Sequence, residues 1–201
     1  MSAAGQLTTE HRADRRARTR KLTRAVILDA ARLVASREGA ANLSLRAVAA
    51  EAGFAPAALY GYFANKSELL IALAGEDLAA LAHVLRDAEG GGSRLGAAAG
   101  AALALLQNTE TIAAVPAALP AHAGASDAER LFNGRLIAAL RALSEAAGNP
   151  GDSREAQADV VLLAGTLTGL AVLARSGRLE ALGFSAADMI AALDRRFSPA
   201  R

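Results

Sequence analysis

Phe54-Ala-Pro-Ala-Ala-Leu-Tyr-Gly-Tyr-Phe63 holds four of the seven aromatic residues in this chain of 201 residues, and Ala64-Asn-Lys-Ser-Glu-Leu-Leu70 follows it directly. The sequence is 53% hydrophobic but only 3% aromatic. Its core must therefore be built from Ala, Leu and Val, and a local packet of rings needs a local reason. Pro56 suits the first turn of a helix, where a missing N–H costs nothing, and the spacing predicts a helix from Pro56 to about Phe63. Leu59 and Phe63, four residues apart, can both turn inward, leaving Pro56, Ala57 and Tyr60 on a neighbouring face. Just upstream, Ser44 is a good N-cap, and Leu45, Val48, Ala49 and Ala52 form one apolar stripe before Gly53. Two short helices joined by Gly53-Phe54-Ala55 make a helix-turn-helix.

Outward from this pair, apolar residues recur at three and four, and Pro and Gly fall mostly between the periodic segments. No strand pattern competes, so the expected fold is all-α with about nine helices. A first helix is expected from Thr19 or Thr23 to Glu38, with Val26, Ala30, Leu33 and Val34 on its inner face and Gly39 as its stop. Asn65 caps a long helix from Lys66 to about Asp87. Beyond Gly90-Gly-Gly-Ser93, Ala-rich helices are expected at about Ser93 to Asn108, Thr111 to Ala118, Asp127 to Ala147, Ser153 to Ser176 and Ser185 to Phe197. The expected organisation is a basic, flexible N-terminal arm (1–20), a three-helix helix-turn-helix domain (21–68) and a C-terminal helical domain (69–201), the last of which the family likeness described below implies to bind an effector and to dimerise.

Composition removes several functions. The chain has no cysteine, which excludes disulfides, thiolate zinc sites and cysteine nucleophiles and fits a reducing cytoplasm. His11, His83 and His122 are widely separated, and no Gly-x-Ser-x-Gly, Walker or Rossmann pattern occurs, so neither catalysis nor a cofactor nor a metal is expected. The N-terminus lacks the pattern of a secretory signal. The longest apolar stretch, Val160 to Ala174, carries two Thr and two Gly between Asp159 and Arg175; a buried helix is expected there rather than a bilayer span, and no membrane partner.

The net charge of +2 hides an asymmetry. Residues 1–70 hold 11 Lys and Arg against 6 Asp and Glu (+5), and residues 71–201 hold 11 against 14 (−3). Only the first third is poised to meet a polyanion. On the helix-turn-helix, Tyr60 and Tyr62 can bring phenolic OH groups to phosphates, and Tyr60 can touch a thymine methyl. Lys66 adds a cation in the first turn of the next helix, beside backbone N–H groups that also favour anions. Phe54 and Phe63 read as core.

These residues carry a family likeness. From Arg24-Ala-Val-Ile-Leu-Asp-Ala-Ala-Arg-Leu through Leu43-Ser-Leu-Arg-Ala-Val-Ala-Ala-Glu-Ala-Gly-Phe54 to Leu59-Tyr-Gly-Tyr-Phe-Ala-Asn-Lys-Ser-Glu-Leu-Leu70, the chain resembles the DNA-binding domain of the TetR family of bacterial transcriptional regulators. The resemblance implies a cytoplasmic, nucleoid-associated homodimer that binds a palindromic double-stranded DNA operator and is released by a small apolar or amphipathic effector. Repression is the family's usual mode; activation, or a protein-interaction role without operator binding, are the alternatives. By position, Ser44, Tyr60, Tyr62 and Lys66 match phosphate-contacting places, and Ala57 and Tyr60 base-facing ones. Two departures stand out. Ala55 replaces the usual Ser or Thr, and Gly61 sits inside the recognition helix, where it costs about 1 kcal/mol relative to Ala.

No Arg, Lys, Gln or Asn lies between Pro56 and Phe63. Sequence choice must then come from Arg46, from DNA shape, or from the arm with Arg12, Arg15, Arg16, Arg18, Arg20, Lys21 and Arg24. In the C-terminal domain, the polar residues within apolar segments are His83, Gln107, Asn108, Thr111, His122, Asn133, Thr166 and Thr168, candidates for an effector pocket with aliphatic walls. Gly165 and Gly169, one turn apart, permit close helix approach, which suits a dimer interface formed with Met189, Ile190 and Leu193, although an ordinary core helix reads equally simply.

Overall fold

The computed structural model describes residues 3–89, 93–109, 111–112, 114, 126–148, 151 and 153–197. Among these, nine α-helices and no strands occur: α1 (Ala3–Glu38), α2 (Leu45–Ala52), α3 (Pro56–Leu59), α4 (Lys66–Asp87), α5 (Arg94–Gln107), α6 (Asp127–Ala146), α7 (Arg154–Arg175), α8 (Arg178–Ala181) and α9 (Ala186–Phe197). A 3-10 turn, Ala40–Asn42, follows α1. The expected helix from Thr111 to Ala118 falls mostly outside the described residues, as does His122. The chain divides into two compact units, Met1–Leu69 and Leu70–Arg201, and α4 runs across the division.

In the first unit α2 packs against α1, and α3 against α2. Helix α1 begins at Ala3 rather than at Thr19 or Thr23, so the basic segment is helical and not an irregular arm. The physical reason lies in its composition, since Ala and Arg are strong helix formers and nothing between Gly5 and Glu38 breaks the run. Its buried stripe is also rotated from expectation. Ile27, Leu28, Ala30, Ala31, Val34 and Ala35 are buried, whereas Val26 and Leu33 face solvent. Ile27, Ala31 and Val34 satisfy the helical spacing as well as Val26, Ala30 and Leu33 do, and packing against α2 selects between them.

Helix α2 is capped as its sequence dictates: the Ser44 hydroxyl accepts from the Ala47 amide at 3.1 Å. Gly53 ends it with φ +72°, a left-handed backbone that a side chain would strain. Arg37 near the end of α1 pairs with Glu51 on α2, and the carboxylate holds the guanidinium's pKa above its ordinary value.

The second unit has its main core among α5, α6, α7 and α9, with Leu95, Leu103, Leu143, Leu163, Leu167 and Leu193 buried between Ala side chains. A second cluster holds Ile71, Leu78 and Phe132. Ser93 and Ser153 cap α5 and α7, and Ser126 with Glu129 forms a capping box on α6. Gly75 lets Arg135 cross close to α4, where Arg135 Nη1 meets Glu76 Oε1 at 2.9 Å.

Candidate nucleic-acid interface

Helix α3 is shorter than the sequence suggests. Regular helix ends at Leu59, and Tyr60 to Phe63 close it as a turn in which the Gly61 amide donates to Ala58 O at 3.2 Å. The amides of Tyr62 and Phe63 both donate to Leu59 O at 2.9 Å. Gly61 is the cause, because glycine stabilises a helical interior least among residues other than proline. Leu59 and Phe63 are 0% and 1% exposed, which anchors the turn from below. Phe54 is half-buried, its amide donating to Ala49 O at 2.9 Å.

Anchoring these residues leaves a face. Pro56, Ala57 and Ala58 are exposed, and Tyr60 is 61% exposed. Ala55 occupies the N-cap position of α3 with extended backbone and no side-chain cap bond. Ser44 and Arg46 are exposed at the start of α2. Arg12, Arg15, Arg16, Arg18 and Lys21 are exposed along α1. Around α2 and α3 the surface is thus a small apolar patch bearing one phenol, flanked by hydroxyl and guanidinium groups.

Three expected contacts are placed differently from a free, outward-reaching group. Tyr62 is half-buried beneath Arg20, whose guanidinium carbon lies 5.0 Å from the ring centre. Arg20 Nη2 also donates to the Gly61 carbonyl at 2.6 Å. Lys66 is half-buried and its Nζ donates to Ala41 O at 2.5 Å. Each bond joins residues more than 20 positions apart, so no local pattern in the sequence announces it.

The candidates in the second unit do not gather. His83, Asn108, Asn133 and Thr166 are exposed, and Gln107 and Thr168 are half-buried. His83 Nδ1 lies 3.7 Å from Asp87, one turn on. Asn108, Thr166 and Thr168 donate to Ala104, Leu162 and Ala164 carbonyls of their own helices, a common local use of such side chains. The buried polar pair that sequence reading missed in part is Thr111 with Asp77: the hydroxyl donates to the carboxylate, and Asp77 is 7% exposed. An acidic residue on an amphipathic helix gives no sequence signal of burial.

The dimer candidates divide. Leu193 is buried in the core of its own unit, and Ile190 packs against it, its Cδ1 close to Gly100, so these two residues of α9 face inward. Met189 is half-buried. Gly165 and Gly169 instead open outward, with nothing among the described residues within 4 Å of a Cβ at either position. They lie in an exposed stripe of α7 with Val161, Leu162, Thr166 and Val172, the first two 60% and 62% exposed. Beside it, a groove of about 560 Å³ between α6 and α7 is lined by Ile137, Leu140, Val160 and Val161, with Arg141 and Glu145 among its polar residues.

The two short helices with their open α3 face are those of a DNA-binding helix-turn-helix. Residues 27–73 match the family described as bacterial regulatory proteins, tetR family, so this segment carries a TetR-type DNA-binding domain. No curated protein matches it in sequence. Among solved structures, it is similar to the regulatory protein SCO4313, at 24% identity over 90% of this chain and 97% of that one, with a TM-score of 0.66. It is also similar to FadR from Bacillus subtilis in complex with stearoyl-CoA (18% identity, 86% and 96% covered, TM-score 0.58). A third is the TetR-like regulator LfrR from Mycobacterium smegmatis in complex with proflavine (20%, 90% and 96%, TM-score 0.56). At these identities the likenesses establish the fold.

Proposed function

We propose that this DNA-binding regulator acts as a homodimeric repressor that binds a palindromic operator and is released by a small apolar or amphipathic effector. The observation that carries DNA binding is the α3 face: Pro56, Ala57 and Tyr60 are held outward by Leu59 and Phe63 beneath them. Tyr60 meets the backbone or a thymine methyl, Ser44 and Lys66 meet phosphates, and Arg46 supplies reading that α3 lacks. The basic length of α1, including Lys21, tracks the phosphate backbone as a helix.

Dimerisation is supported by the uncovered apolar stripe of α7. It centres on two glycines that would let a second copy approach closely. The helix is also long and apolar enough to cross a membrane, but its opposite face is built into a core with Ala156, Val160, Leu163 and Leu167 buried; we read the exposed side as an interface within a cytoplasmic, nucleoid-associated dimer. An effector is supported by the apolar groove between α6 and α7 and by the stearoyl-CoA and proflavine complexes of two similar folds. Its action would be to bias the separation of the two recognition helices. TetR-family regulators are non-enzymatic, and we read this chain in the same way.

The test is selection of duplexes from a random library by the full chain, followed by titration of the enriched duplex across salt concentrations. A palindromic consensus bound with a salt-dependent affinity is expected. No enrichment would overturn operator binding and favour the protein-interaction alternative, which the apolar α3 face and the missing hydroxyl at Ala55 leave physically open.

A further inference from the structure

On the N-terminal basic helix, Arg20 turns one of its donors and the face of its guanidinium onto the chain itself. Arg20 donates from Nη2 to Gly61 O at 2.6 Å and stacks over Tyr62 at 5.0 Å. One turn along α1, Arg24 stacks over Phe63, also at 5.0 Å. The two guanidinium groups thus grip successive rings at the end of the recognition helix. Arg20 shares its exposure with the neighbouring cations Arg12, Arg15, Arg16, Arg18 and Lys21, and is set apart by these two contacts.

The chemistry at Gly61 explains why a cation belongs there. The Gly61 carbonyl lies in the turn beyond the regular helix, where no i+4 amide of a helical ladder meets it, and a guanidinium N–H supplies its hydrogen bond. Glycine also weakens the turn that must present Tyr60 and Tyr62. A guanidinium answers both needs, because one N–H satisfies the carbonyl while the planar face covers the ring. Lysine can supply the charge but not the planar stacking surface.

We propose that Arg20 is a positioning residue for DNA recognition. It acts through Gly61 and Tyr62 by fixing the C-terminal turn of α3 against α1, and not as a phosphate contact. This rests on the DNA-binding reading above. It couples the basic helix to the recognition helix, so that sequence upstream of the helix-turn-helix sets how Tyr60 and Tyr62 are presented.

The experiment compares wild type, Arg20→Ala and Arg20→Lys in two measurements on the full chain. In the free protein, amide hydrogen exchange at Gly61, Tyr62 and Phe63 should be faster in Arg20→Ala. On the duplex selected by wild type, both variants should bind about tenfold more weakly, with an unchanged slope of log K against log salt. A slope shallower by about 0.9 for each Arg20 removed would make it a phosphate contact and overturn the proposal. Full affinity in Arg20→Lys, or unchanged exchange in Arg20→Ala, would overturn it equally. If selection enriches no duplex at all, the DNA-binding reading itself fails and takes this role with it; if a duplex is enriched, these outcomes bear on Arg20 alone.

Discussion

Lys66 Nζ, in the first turn of α4, donates a 2.5 Å hydrogen bond to the carbonyl of Ala41 in the 3-10 turn after α1. The bond ties the start of the helix that follows the helix-turn-helix to the turn that precedes it. A cation so placed keeps two further donors, which can meet a phosphate. Lys66→Met should therefore lower stability by about 1 kcal/mol, read as a shift in the urea midpoint, and also make the salt dependence of DNA binding shallower by about 0.9 per protomer. A stability loss without a change of slope would confine Lys66 to a structural role.

Ala55 begins α3 without a side-chain cap, in the extended backbone that a capping serine adopts. Ala55→Ser is expected to stabilise the first unit by about 1 kcal/mol and to tighten DNA binding, since the new hydroxyl both caps the helix and lies beside the DNA-facing residues. Thermal denaturation and anisotropy on the selected duplex measure the two effects. Weaker binding in a more stable protein would show that the open N-terminus of α3 is itself needed at the DNA.

Gly165 offers a test of the dimer in which folding and association separate. Because a Cβ there meets nothing within 4 Å among the described residues, Gly165→Ala should stabilise α7, by about 1 kcal/mol in helix propensity. The bulkier Gly165→Arg should leave the protomer folded but shift sedimentation velocity from dimer to monomer. A dimer that persists in Gly165→Arg and in Leu162→Glu would place the interface elsewhere.

At the start of α9, Asp188 accepts from the Ser185 hydroxyl at 2.6 Å and from its amide at 2.9 Å. The hydroxyl bond, then the amide bond, lower the carboxyl pKa below its ordinary 3.8. A lowered pKa in the folded state gives stability that is complete above the unfolded value of about 3.8 and is lost as pH falls through the folded one. Ser185→Ala should bring the Asp188 titration, followed by its carboxyl carbon chemical shift, back toward 3.8. An unmoved titration would remove the hydroxyl as the cause.

Much of this could be read in the residues themselves. The cap at Ser44, the helix starts near Ser93 and Ser153, the stop at Gly53, and the inward pair Leu59 and Phe63 follow from local rules, and the structure has them all. Periodicity is weaker where every position is apolar. It chose Val26 and Leu33 over Ile27 and Ala31, and it assigned Ile190 and Leu193 to a partner when their own core takes them. Long-range bonds leave no trace in spacing, which is why the contact of Arg20 with Gly61 and the burial of Asp77 emerge only in three dimensions. The short α3 is a middle case, since Gly61 signals a weak helix but not where it ends.

The claim that most of this account depends on is that the open face of α3 touches DNA. Its most direct measurement is the affinity of Tyr60→Ala for the duplex selected by wild type. Tyr60 is 61% exposed, so its removal should leave the fold and its urea midpoint intact. The account predicts binding weaker by about tenfold or more; a variant that binds that duplex as tightly as wild type would contradict it.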